Sequence, residues 1–430
     1  MGSRLHVLRP ADARLGPPHP RSPPGPATVA AIDLIRRALS RRLERIAYGR
    51  ITLDGQDGHA PAQVFGNGSG PAAHLHVKDS RFFRAIAFGG TLGAAEAYLN
   101  GWWESDDLVA LVQVLVRNRA ALEGLERGLA RLAKPFRALA HALRRNTRGG
   151  SRRNIAAHYD LGNEFFRLFL DDTLAYSCGI FEAPGASLHD ASVAKFDRIC
   201  RVLELSPKDH LLEIGTGWGG FAMHAAREYG CRVTTATISR QQELLANQRI
   251  TDAGLSGRVT VVNRDYRDLD GTFDKLASIE MIEAVGHQYL DGFFRVCANR
   301  LKPDGLFALQ AITIQDRFYH AALHEVDFIK AYIFPGSFIP SRAVLAESAG
   351  FTDLTLVDLH DLTPHYAETL KRWRENFLSR REDVLGLGFD ERFVRLWEFY
   401  FAYCEGGFRE RVLGDAQLLF AKPENRRDAL

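Results

Sequence analysis

The sequence predicts an α/β protein: a mainly parallel, seven-stranded sheet covered by helices on both faces, with a smaller α+β domain ahead of it. Three observations predict it. From Lys208 onward, short apolar runs alternate with stretches of helical periodicity, the rhythm of βα units. Four glycines, Gly215, Gly217, Gly219 and Gly220, fall between the first of these runs and the helix after it. The 430-residue length also leaves ample chain before Lys208 for a second core.

Residues 1–28 contain GPPHPRSPPGP and hold too little apolar surface for a core, so a disordered tail is expected. IDLIRRALSRRLERI then places Ile32, Ile35, Leu39 and Leu43 on one helical stripe. RITLDG and AHLHVKD read as strands, and FFRAIAFGG reads as a helix. Trp102 and Trp103 suit a core or a domain interface. From Leu125 to Asn154 the leucines keep helical spacing, and no acid falls between Arg127 and Arg153. Such a basic amphipathic run is either a solvated face or a surface for anionic lipid headgroups; no nucleic-acid motif accompanies it. TRGGSRRN reads as a linker, so the domains are expected at 29–148 and 149–430.

The seven strands of the second domain are HLLEIG, CRVTTATIS, RVTVVNRDY, KLASIEMI, LFALQAITI, DLTLVDL and AQLLFAK. Helices fall between them, and one of these, YLDGFFRVCANR, is expected to end in a Lys-Pro-Asp-Gly turn. An aromatic-rich insertion between Gln315 and Ser341 lies where substrate elements usually sit in such sheets. Before the first strand, HYDLGNEFFRLFLDDTLAYSCGIF combines an amphipathic aromatic run with Tyr-Ser-Cys. It suits either core packing or the wall of a dry pocket.

Composition narrows the compartment. Five scattered cysteines form no CxxC pair, so reduced thiols and no metal site are expected. No apolar run approaches the roughly 20 residues of a membrane helix, and none near the start suits a signal peptide. The expected location is cytoplasmic, with membrane association peripheral and on the inner face.

The glycine loop alone is ambiguous. Gly215, Gly217 and Gly220 satisfy GxGxxG, which suits a dinucleotide; Gly215, Gly217 and Gly219 behind Glu213 satisfy GxGxG, which suits S-adenosylmethionine (SAM). Either ligand ordinarily wants an acid at the end of the second strand. That place reads Thr234-Thr235-Ala236-Thr237.

Resemblance decides between them. HYDLGNEFFRLFLDDTLAYSCGIF, LLEIGTGWGGFAMHAA, TISRQQ, RDYRDL, IEMIEAVG, LKPDG, YIFPG and YCEGGF resemble, in order, the cyclopropane-fatty-acyl-phospholipid synthase family, which includes the mycolic acid cyclopropane synthases. FFRAIAFGGTLGAAEAYLNGWWESDDL resembles the family's amino-terminal domain. The resemblance implies a class I SAM-dependent methyltransferase fold and transfer of a one-carbon unit to the cis double bond of an unsaturated phospholipid acyl chain at the membrane surface, forming a cyclopropane. It places Tyr176, Ser177, Glu213, the Gly215–Gly220 loop, Thr237, Gln242, Asp265 and Tyr266 around SAM. It implies a bound bicarbonate as proton acceptor, cradled by Cys178, Glu283, Gln310, Ile312 and Tyr366, with Cys404 as a further active-site residue. A homodimer is left open.

Two departures matter. The family commonly has His at Gln310 and His at Ala284. An amide hydrogen-bonds an anion but carries no charge and shuttles no proton. A methylene- or methyl-branched chain is therefore an alternative product, and a small-molecule SAM methyltransferase an alternative function.

Overall fold

The computed structural model describes residues 26–55, 62–122 and 161–426. The basic run, the linker and nearly all of the Pro-rich tail lie outside the described residues. The chain divides into two compact units, Met1–Pro135 and Phe136–Leu430.

In the first unit the helix Pro26–Leu43 precedes β1 (Arg50–Gly55), β2 (Gln63–Gly66) and β3 (Ala72–Val77). A helix, Arg81–Leu99, broken at Gly90, and β4 (Trp103–Ser105) follow. The sheet order is β2-β1-β3-β4, with β1 and β3 parallel. The short strands β2 and β4 carry no alternation long enough to read in sequence. Trp103 is buried against Phe82 and Tyr98 and donates its indole N–H to the Ala94 carbonyl at 2.8 Å; the core reading holds for it.

The second unit is built on β5 (His210–Ile214), β6 (Arg232–Thr237), β7 (Val259–Asn263), β8 (Phe273–Ile279), β9 (Leu301–Ile314), β10 (Thr355–Asp361) and β11 (Leu413–Ala421). Their order is β10-β11-β9-β8-β5-β6-β7. All neighbours are parallel except β11, which runs antiparallel to both β9 and β10. The strands read as continuous apolar runs because both faces are covered. Leu211 joins the core on one face and Leu212 the core on the other; Ala308 and Leu309 separate in the same way, as a pleat of period two requires.

Two local expectations change. The LKPDG segment is not a turn: the helix Leu290–Arg300 passes directly into β9, and the extra residues form a bulge between the Phe273–Leu301 and Lys275–Leu306 pairs. The amphipathic run after Gly162 forms only a five-residue helix, Asn163–Arg167. Phe165, Phe166 and Phe169 are fully buried. Phe165 packs its ring against Phe377, Phe389, Phe393 and Trp397, with centroids 4.6–6.2 Å away. Those phenylalanines build core. Among the described residues no helix is long and apolar enough to cross a membrane.

Candidate active site

The glycine loop leaves the carboxyl end of β5 and opens the helix Gly220–Glu228. Gly215 has φ +106°, a conformation that side-chain-bearing residues avoid, and an added Cβ would lie 3.1 Å from Cβ of Met281. Gly220 has no room for a Cβ either, because the Thr173 carbonyl would be 2.7 Å away. The segment before the first strand is thus seated on the loop. Arg249 clamps the two together by donating from Nη1 to the carbonyls of Thr173 (3.0 Å) and Trp218 (2.8 Å), while Trp218 donates to Asn163 Oδ1 at 2.8 Å.

Beneath the loop, Glu213 is buried and accepts a hydrogen bond from Thr235, whose hydroxyl also meets Thr216. Burial pushes the Glu213 carboxyl up to about 8, against the pull of that hydroxyl. At the end of β6, where an acid was sought, Thr237 donates to Gln242 Oε1 at 2.8 Å. A neutral hydroxyl–amide pair stands there. Asp265 is held by Nε and Nη2 of Arg267 at 2.8 and 2.6 Å, and that guanidinium lies over the Tyr266 ring. The loop's open backbone and helix start fit SAM. When bound there, SAM supplies an electrophilic methyl group.

A cluster of acids adjoins the loop, because Met281, against which Gly215 packs, lies between the half-buried Glu280 and Glu283. Glu280 follows β8 with φ +47°, one of four non-glycine residues of positive φ among those described. Its Oε1 accepts from the Cys178 backbone N–H and from Gln310 Nε2, both at 2.8 Å. Its Oε2 accepts from the Tyr366 hydroxyl at 2.6 Å. Glu283 Oε1 accepts from the Ile312 N–H at 2.6 Å, and Glu283 Oε2 has no protein partner.

Strand register assembles this cluster. Gln310 on β9 stands opposite Ile279 and Gln417, and Ile312 opposite Asp415; Gln417 in turn donates to Gln310 Oε1 at 3.0 Å. Burial, then the charge of Glu280, pushes the Glu283 carboxyl up to about 8. Burial also raises Glu280, against the hydrogen bonds from Tyr366 and the Cys178 N–H. Asp415 is held well above the usual carboxylate range by burial and by Glu280 and Glu283. Lys195 is fully buried nearby and donates to Ser177 Oγ at 2.6 Å; desolvation lowers it, and Glu280 is the foremost charge working the other way.

Of the residues expected to cradle bicarbonate, the structure gathers all five: Cys178, Glu283, Gln310, Ile312 and Tyr366. Their donors, however, are already taken by Glu280 and Glu283. Cys178 takes part through its backbone, since burial drives its thiol well up. Cys404 lies half-buried on the helix Glu391–Arg409; its charged neighbour is Asp327, and it makes none of the cluster's hydrogen bonds. Tyr176 meets the Tyr400 hydroxyl at 3.0 Å and packs beside Trp373 and Phe334. The sequence reading missed Glu280, Lys195, Asp415 and Gln417. Two acids three residues apart in IEMIEAVG were the available signal for Glu280.

Comparison with known proteins agrees with this architecture. The family model described as mycolic acid cyclopropane synthetase matches residues 146–418. The chain is 37% identical to the tuberculostearic acid methyltransferase UfaA1 of Mycobacterium tuberculosis over 399 residues, covering 91% of each protein. It is 35% identical to the cyclopropane-fatty-acyl-phospholipid synthase of Escherichia coli over 358 residues, covering 83% of this chain and 89% of that one. Among solved structures, the cyclopropane synthase MmaA2 from Mycobacterium tuberculosis superposes with a TM-score of 0.60 at 30% identity, covering 63% of this chain and 98% of the other. The mycolic acid cyclopropane synthase CmaA1 complexed with SAH and CTAB gives 0.59 at 31% identity, covering 63% and 98%. The glycine loop, the β11-inserted sheet and these matches make the chain a SAM-dependent methyltransferase of the mycolic acid cyclopropane synthetase family.

Proposed function

We propose that the chain transfers a one-carbon unit from SAM to the cis double bond of an unsaturated phospholipid acyl chain, giving a cyclopropane fatty acid. The observation that carries this reading is the close packing of Gly215 on Met281, which sets the methyl-donor loop beside Glu280 and Glu283, two acids whose carboxyls burial raises. An isolated alkene is a weak nucleophile, so methyl transfer leaves a carbocation on the neighbouring chain carbon. Water would capture it, and a site for this chemistry must be dry. Tyr366, which touches Glu280, packs against Phe408 and Trp373 with ring centroids 4.4 and 6.2 Å away. Aromatic faces of this kind stabilise positive charge. A buried carboxylate then has the chemistry to remove the final proton.

A second reading ends in a methylene-branched chain, the isomer of the ring. Gln310 and Ala284 in place of two histidines favour it, as does the likeness to a protein named as a methyltransferase. A saturated methyl branch needs a further two-electron reduction from a separate reaction. In either reading the acyl chain comes from the bilayer, which the chain meets peripherally.

The test is incubation with methyl-labelled SAM and vesicles of cis-unsaturated phosphatidylglycerol. Label is expected in the fatty acids released by hydrolysis, and proton NMR separates ring methylene from vinyl protons. Label confined to headgroups, or none, would overturn the reading.

A further inference from the structure

We propose that the carboxylate of Glu280, and no bound bicarbonate, accepts the proton that ends the reaction; the proposal rests on the alkene chemistry above. The donors expected to hold the anion are spent within the chain. The Cys178 N–H, Gln310 Nε2 and the Tyr366 hydroxyl all point to Glu280, and the Ile312 N–H points to Glu283. A bicarbonate would therefore arrive without donors, beside the carboxyl groups of Glu280, Glu283 and the fully buried Asp415, all three raised by burial. Repulsion and desolvation both oppose it.

The backbone supports the same assignment. A left-handed φ of +47° at a glutamate is strained, and glycine would adopt it freely. Strain of this kind persists where the surroundings over-determine it, and here three hydrogen bonds fix the carboxylate. Gln310 is held by Gln417 and donates to both Glu280 and the Cys178 carbonyl. As an amide it supports the carboxylate without competing for its proton. Among the described residues, the buried amine of Lys195 stands beside these acids, and Glu280 is the foremost charge favouring its protonated form against desolvation.

The step balances. As the methyl carbon bonds to one alkene carbon, its bond to sulfur breaks and S-adenosylhomocysteine (SAH) leaves with the electron pair. The other alkene carbon becomes cationic. Glu280 takes a proton from the transferred carbon, and the released C–H pair closes the ring. In the methylene reading, after a hydride shift along the chain, the pair forms the exocyclic double bond.

The experiment measures label in fatty acids with full-length protein, methyl-labelled SAM and cis-unsaturated phosphatidylglycerol vesicles, in buffer stripped of carbon dioxide, with and without added bicarbonate. Wild type is expected to run equally fast in both. Glu280→Gln keeps the shape but cannot accept a proton, and is expected to lose about a hundredfold or more with no response to bicarbonate. Glu280→Gly relieves the backbone and vacates the cradle. It is expected to be inactive in stripped buffer and to regain activity about tenfold or more when bicarbonate is added. Thermal shift by SAH confirms that each variant is folded. Wild-type labelling that depends on bicarbonate, or a Glu280→Gln variant at wild-type rate, overturns the proposal alone. Wild-type protein that labels no fatty acid in either buffer overturns the parent reading and the proposal with it.

Discussion

Replacing Gly220 with valine is expected to abolish useful SAM binding. The new Cβ would sit 2.7 Å from the Thr173 carbonyl and 3.4 Å from the Phe196 ring. The carbonyl cannot step aside easily, because Arg249 already donates to it and to the Trp218 carbonyl. Either the glycine loop lifts off β5 or the segment carrying Tyr176, Ser177 and Cys178 is displaced. Overpacking of this kind costs about 1–3 kcal/mol. The displaced loop should also weaken SAH by about tenfold or more, about 1.4 kcal/mol or more, in isothermal titration. Gly292→Ala is the control, since a Cβ there meets nothing within 4 Å; it should leave binding unchanged. Wild-type affinity in the Gly220→Val protein would show that the loop does not hold the nucleoside.

Glu405→Leu is expected to cause the largest loss of stability. Glu405 belongs to the YCEGGF segment and is 1% exposed. Arg374 donates to its Oε2 from Nε and Nη2 at 3.1 and 3.0 Å, and Arg409 to its Oε1 at 2.9 and 2.8 Å. Arg374 lies on the helix Thr363–Ser379, which also carries Tyr366, so the pair ties a ligand of Glu280 to the helix Glu391–Arg409. Removing the carboxylate leaves two guanidinium groups facing an apolar side chain, at a cost of about 3 kcal/mol. For a unit of this size that lowers Tm by about 5 °C. Glu405→Gln, which keeps an acceptor, should lose roughly half as much. A leucine variant melting with wild type would mean that solvent already satisfies both arginines.

Much of the fold was legible because strand and helix differ in period. HLLEIG followed by glycines and a helix can be read directly, and the expected strands of the second unit appear where alternation placed them. What resisted reading depended on direction and depth. Sequence cannot show that both acids of IEMIEAVG turn inward, or that Glu280, at its left-handed turn, takes the donors expected for an anion. Lys195 sits in an ordinary amphipathic helix, Leu188–Val202, where a lysine reads as solvated until Ser177 and the acids are placed beneath it. Phe165, Phe166 and Phe169 could be read as pocket wall or as core, because an aromatic run has the same composition whether it faces a ligand or a core; the structure buries all three. Gln417 and Asp415 became visible only through the antiparallel register of β11 on β9.

The central claim is that an alkene captures a methyl group in a dry site and then surrenders one of that group's hydrogens to a buried base. Trideuteromethyl SAM tests it most directly, with mass spectrometry of the released fatty acid. Retention of two deuterons on the added carbon is the result expected for ring or methylene product alike. Retention of all three would show that no proton leaves the transferred carbon, and would contradict the account.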